Sequence, residues 1–136
     1  MFYWSCEATA TTTATPEQIW NLWTNLDSWP QWDTDVAWAK LETSFVQGAY
    51  FRMKPTNGPA MRCLLQEVTH LHSFSTLSRL PLTKVSFTHV FSEGTLCHKV
   101  EMRGWLTPLF KQLFGYKIEK ELSSVVRSLA VLAEGS

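Results

Sequence analysis

The hydrophobic period of this chain changes after Gly104, and that change constrains its fold more than any other feature. From Val36 up to it, apolar and polar residues alternate in short runs, as half-buried strands require. The runs fall near 36–42, 49–54, 61–69, 73–79, 84–92 and 95–105. Turn-forming residues separate them: Gln47-Gly48, the stretch Pro55-Thr56-Asn57-Gly58-Pro59, the corner His70-Leu71-His72, Leu80-Pro81-Leu82, and Glu93-Gly94. Short connections between consecutive strands make an antiparallel meander. After Gly104, Phe110, Phe114, Ile118, Leu122, Val125, Leu129 and Leu132 recur every three or four residues. That stripe predicts one helix from Pro108 to about Glu134, ~27 residues and ~40 Å long. Gly115 interrupts it, either for close packing against the sheet or as a bend that makes room for a ligand.

The N-terminal third adds a strand and two short helices. Residues 3–14, rich in Thr and Ala, read as a strand. Thr15 is placed to cap a helix, with Pro16 at its first position and Gln18 three residues on, as in a capping box. Ile19, Trp20 and Trp23 share one face of this helix, Asn25-Leu26-Asp27 ends it, and a helical turn follows over 28–32. The expected architecture is therefore α+β, a curved antiparallel sheet of about seven strands with two short helices, wrapped around one long C-terminal helix.

The totals exclude several classes of function. The 136 residues suit one domain, 1–136, large enough to fold without disulfide or metal. Lys plus Arg balances Asp plus Glu at 12 each, so the basic footprint of a nucleic-acid binder is missing, as is a polybasic lipid anchor. Cys6, Cys63 and Cys97 have no CxxC spacing and read as reduced thiols. Glu7 interrupts the first apolar run, which lacks the basic start of a signal peptide, and no run reaches the ~20 apolar residues that span a bilayer. The expectation is a cytoplasmic protein with no integral membrane segment. Six of the seven Trp lie in the first 38 residues, so the core or a cavity wall must be rich in aromatic rings.

Ala14-Thr15-Pro16-Glu17-Gln18-Ile19-Trp20, Trp29-Pro30-Gln31-Trp32-Asp33, Phe45-Val46-Gln47-Gly48, Leu80-Pro81 and His89 ahead of Glu93-Gly94-Thr95 occur in an order that resembles the START-like, polyketide cyclase/dehydrase (SRPBCC) superfamily. The resemblance covers nearly the whole chain and implies the helix-grip fold. It also implies a site between sheet and helix for a lipid-, polyketide- or aromatic-like molecule. Most such proteins bind or transport hydrophobic molecules, and a minority are enzymes. Fold alone does not choose between these roles.

Strand parity gives the interior. With Glu93-Gly94 as a two-residue turn, opposed residues place Phe91 against Leu96, His89 against His98, Phe87 against Val100, and Val85 against Met102. Lys84, Ser86 and Thr88 occupy the other face with Arg103, Glu101 and Lys99, so the apolar ladder must point inward. Two histidines therefore face each other inside it. They are hydrogen-bonded in place, or serve as polar handles for a ligand, or act as a general acid/base pair. Two cross-strand imidazoles are too few for a metal site, and no cofactor motif appears.

The candidate ligand-binding residues are Phe51, Phe87, His89, Phe91, His98, Val100, Phe114 and Ile118, with His89 and His98 as candidate catalytic groups. Arg62 and Glu67 have opposite parity, so one of them is expected to point inward. Arg79 ends its strand in solvent or guards the cavity mouth. The His70 and His72 pair is expected at the surface. Trp29 and Trp32 share a face and form either core or a lid. The leading functional expectation is a carrier for a hydrophobic small molecule. The alternatives are a cyclase/dehydrase-type enzyme using the histidines, and a protein-interaction module.

Overall fold

The computed structural model describes residues 1–136. Seven antiparallel strands form one sheet: β1 (Phe2–Thr11), β2 (Val36–Leu41), β3 (Tyr50–Pro55), β4 (Met61–Thr69), β5 (Ser73–Leu80), β6 (Thr83–Ser92) and β7 (Thr95–Gly104), in the spatial order β1-β7-β6-β5-β4-β3-β2. Strands β2 to β7 are a meander, and β1 adds itself to the outer edge of β7. Helices α1 (Pro16–Thr24) and α2 (Trp29–Trp32) bridge β1 and β2 at the two ends of the sheet. The C-terminal helical segment comprises α3 (Thr107–Phe110), a π-helical turn (Lys111–Gly115) and α4 (Tyr116–Glu134). The expected α+β architecture is the one observed. No helix is long and apolar enough to cross a membrane.

Local chemistry explains the boundaries. The Gln18 amide donates to the Thr15 hydroxyl at 3.2 Å, and the Thr15 amide donates to Gln18 Oε1 at 2.8 Å, completing the capping box. Gln18 Nε2 also reaches the Ser136 carbonyl at 2.8 Å, tying the start of α1 to the chain end. Strand β1 stops at Thr11, three residues before the expected end. There the Thr12 amide turns to the Gly94 carbonyl and the Thr12 hydroxyl to Glu134. The β6–β7 register is the expected one, His89 opposite His98 and Phe91 opposite Leu96, around a turn with φ of 50° at Glu93 and 77° at Gly94.

Neither Arg62 nor Glu67 points inward, which corrects the parity argument for β4. Cys63 and Leu65 are buried, leaving Arg62 outside, where it pairs with Glu42 at 2.8 and 3.0 Å. A bulge between Leu65 and Glu67 then inserts one residue and reverses the alternation, so Glu67 also faces out and accepts from Ser73. Arg79 is exposed, as are His70 and His72.

The C-terminal helix fills only part of the concave face. Helix α4 packs over β1, β7, α1 and α2, burying Val125, Val126, Leu129 and Ala133. Gly115 fits the close-packing reading: a Cβ there would stand 3.1 Å from Lys111 Cβ, 3.2 Å from Met102 Cε and 3.3 Å from the Trp4 ring, and the residue also closes the π-helical turn. The helix is thus pinned against β1 and β7 while the space beside β3 to β6 stays open.

Candidate functional site

That open space is a cavity of about 560 Å³. Its sheet wall includes Phe51, Met53, Cys63, Thr76, Ser78 and Phe87; Trp29 and Trp32 close one side, and Phe114, Ile118, Leu122 and Val125 face the sheet from the helix. Of the candidate ligand-binding residues, Phe51, Phe87, His89, His98, Phe114 and Ile118 line it. Phe91 and Val100 do not. Phe91 belongs to the main core with Leu129 and Ala133, while Val100 packs in a second cluster with Val85, Met102 and Leu122. Both point inward as expected, but helix α4 covers the ground they occupy.

The polar centre of the cavity is the histidine pair. The His89 imidazole stacks on Phe74 at 4.2 Å with an interplanar angle of 4°, and meets the His98 ring at 4.3 Å in a T-shaped contact. Trp23 lies 6.0 Å from His89, and Trp32 lies 5.9 Å from His98. This aromatic surround leaves His89 8% and His98 3% exposed. His89 Nδ1, His98 Nε2, Trp23 Nε1 and Trp32 Nε1 are all buried without a protein hydrogen-bond partner. Four such nitrogens in one neighbourhood would be costly unless something polar meets them. Burial holds His98 at about 3. Burial, and then repulsion from His98, also holds His89 well below the ordinary range, so both rings are neutral at pH 7.

Trp29 and Trp32 resolve as core with one face on the cavity. They are 5% and 3% exposed. The Trp29 indole donates to the Trp23 carbonyl at 3.0 Å and its ring packs on Phe51 at 5.4 Å, which anchors it too firmly for a lid.

Sequence reasoning missed Asp33, whose side chain also lines the cavity. Its Oδ1 accepts the Asp35 amide at 2.9 Å in a turn that leads into β2. Burial raises its carboxyl to about 6, the Asp35 amide opposes that, and the charges of Asp35 and Glu121 add to it. Lys117 from α4 stands 3.4 Å from Asp35, and the neighbouring Asp35 carboxyl raises Glu121. Asp33→Asn keeps the acceptor and removes the charge. It is expected to raise stability at pH 7.5 by on the order of 2 kcal/mol, read from urea unfolding. No gain would mean that the ionised carboxylate is well solvated. The polar walls Thr76 and Ser78 were also missed, because Ser-Phe-Ser-Thr-Leu-Ser in β5 carries no apolar alternation to read.

No group of three or more His, Cys, Asp or Glu side chains is arranged to hold a metal ion. No protein-family model matches the sequence, and no curated protein matches it significantly. Solved structures do match. The Mesorhizobium loti protein MLL2253 is 16% identical with a TM-score of 0.68, over 98% of each chain. Major latex-like protein 151 from Panax ginseng is 12% identical with a TM-score of 0.74, over 96% of this chain and 97% of that one. Norcoclaurine synthase from Thalictrum flavum, solved with dopamine and hydroxybenzaldehyde, is 11% identical with a TM-score of 0.64, over 96% of this chain and 86% of that one. Identities this low establish the fold and nothing finer.

Proposed function

We propose, from the helix-grip fold that this chain shares with the START-like superfamily, that the protein binds a small, mainly apolar organic molecule between its sheet and its C-terminal helix. The observation that carries the reading is a mostly apolar cavity whose wall holds two buried histidines, each with one ring nitrogen, His89 Nδ1 and His98 Nε2, left without a protein partner. An apolar ligand gains by leaving water, and one carbonyl or hydroxyl on it would satisfy nitrogens that the protein leaves bare. The neighbouring structures supply precedent: norcoclaurine synthase is solved with dopamine and hydroxybenzaldehyde, and a point mutant of it with a transition-state analogue.

Binding is favoured over proton-transfer catalysis by the same burial. A general base works best with a pKa near the operating pH, and His98 at about 3 is far too weak a base at neutrality. The three free thiols suit a protein of a reducing, cytoplasmic compartment.

The test is a matched pair of probes, 9-fluorenone and fluorene, which differ by one carbonyl. Fluorenone is expected to bind about tenfold more tightly by calorimetry, the worth of one hydrogen bond to a buried donor. His98→Leu should abolish that preference while leaving fluorene bound. If neither probe binds, the cavity is not a ligand site. If both bind equally, the histidines are not its polar contacts.

A further inference from the structure

One end of the molecule concentrates exposed apolar side chains that the core does not use. Phe2, Leu82, Trp105, Leu109, Leu113 and Tyr116 are 51%, 68%, 61%, 48%, 66% and 47% exposed. They come from four parts of the chain, and the fold gathers them. Phe2 meets Trp105 edge to face at 6.5 Å, the Trp105 amide donates to the Leu82 carbonyl at 2.9 Å, and Tyr116 packs on Trp4 at 6.5 Å. Leu109 and Leu113 lie about one turn apart on the helical segment between them. Isolated exposed apolar residues are ordinary, but a contiguous group of this size on one end marks an interaction surface.

A row of bases lies beside it. Arg79 is paired in register with Lys84, and Lys84 with Arg103, across three adjacent strands. All three are exposed, and none makes a salt bridge. Glu101, two residues along β7 from Arg103, is engaged instead by Lys99 at 3.8 Å and by the Tyr3 hydroxyl at 3.0 Å. Like charges directly opposed on neighbouring strands repel, so the row costs stability unless an outside anion meets it. The chain is neutral overall, and this local excess is visible only once the strands are in register.

We propose that this end docks on an anionic membrane surface, with Trp105, Leu82 and Leu109 entering the interface and Arg79, Lys84 and Arg103 meeting acidic headgroups. Aromatic rings with polar edges suit the boundary between headgroups and acyl chains, and bases within reach of it gain from the negative surface potential. Leu113 ties the surface to the cavity, since it is 66% exposed yet lines the cavity with Phe110 and Phe114. Docking itself stands on the surface alone. Its use, the passage of an apolar molecule between bilayer and cavity without crossing water, rests on the binding function proposed above.

Cosedimentation with vesicles tests the docking. The protein is expected to bind phosphatidylcholine vesicles that contain about a third phosphatidylserine, and much less to phosphatidylcholine alone. The double variant Lys84→Gln/Arg103→Gln should weaken binding about thirtyfold, the worth of two bases near the surface. Trp105→Ser/Leu109→Ser should weaken it at least tenfold. Neither pair lines the cavity, so unchanged fluorenone affinity reports that the variants are folded. It also separates failure of the docking proposal from failure of the binding reading. Docking is overturned if the parent ignores anionic vesicles, or if both variants bind as the parent does. It is also overturned if the protein self-associates through this surface, seen as a concentration-dependent dimer that Trp105→Ser/Leu109→Ser dissolves.

Discussion

Acidification below pH 6.5 is expected to destabilise the fold through the two buried histidines, with a slope that Asp33 partly masks. In the unfolded chain both imidazoles take up protons near pH 6.5. In the folded chain burial holds His98 at about 3 and keeps His89 well below its ordinary range. Their contribution is therefore fully present above pH 6.5 and is lost as the pH falls, by about 1.4 kcal/mol per proton per pH unit. Asp33 has the opposite sign. Its carboxyl, raised by burial to about 6, keeps in the folded state a proton that the unfolded state releases near the ordinary value of 3.8. Stability is thus regained through Asp33 as the pH falls below 6.

Between about pH 4 and 6 Asp33→Asn should lose about 1.4 kcal/mol more per pH unit than the parent, the worth of the one proton that Asp33 keeps. Because Asp33→Asn starts about 2 kcal/mol above the parent at pH 7.5, its steeper fall brings the two level near pH 4. Urea unfolding at intervals from pH 7.5 to 4.5 measures both slopes. His98→Phe, which removes one titrating ring at similar volume, should flatten the parent's profile. Parallel profiles for parent and Asp33→Asn would sink the account, as would a His98→Phe profile as steep as the parent's.

Replacing Gly104 with alanine is expected to be the most damaging single-methyl change in the sheet. Gly104 ends β7, lies between Phe2 and Thr83, and has a φ of 145°, a region that side chains rarely adopt. A Cβ there would stand 2.2 Å from the Leu82 carbonyl oxygen and 2.6 Å from Thr83 Cα, both backbone atoms that cannot rotate away. Strain and overlap together predict a loss of about 4 kcal/mol or failure to fold. Gly48→Ala is the control. Its φ of 88° is also positive, but nothing lies within 4 Å of the added methyl. Strain alone should cost it about 1 kcal/mol. Equal losses at the two positions would show that conformation, not the approach of the β5–β6 turn, sets the need for glycine at 104.

The interior of the β6–β7 hairpin was legible because its alternation is clean: Val85, Phe87, His89 and Phe91 share one parity, and Glu93-Gly94 fixes the register. The opposition of His89 and His98 followed from that alone. Strand β4 misled, because a bulge at Gln66 reverses parity without any Gly or Pro to announce it. Strand β5 was silent, since Thr76 and Ser78 face the cavity from a run whose inward positions are partly hydroxylated. Parity puts Phe91 and Val100 on the inward face, but it does not report where along that face the helix lands.

By itself the sequence determined the order of elements, the helix start at Thr15, the β6–β7 register and the two inward histidines. These depend on periodicity, capping and turn chemistry, which act over a few residues. Tertiary structure alone decided that helix α4 covers β1 and β7 and leaves β3 to β6 open, with Gly115 as the close contact that sets its position. It also decided that Asp33 would be buried, and that Arg79, Lys84 and Arg103 would stand in one row. Contacts between residues far apart in the chain are set by packing and strand register, and a neutral composition with scattered bases carries no local trace of either.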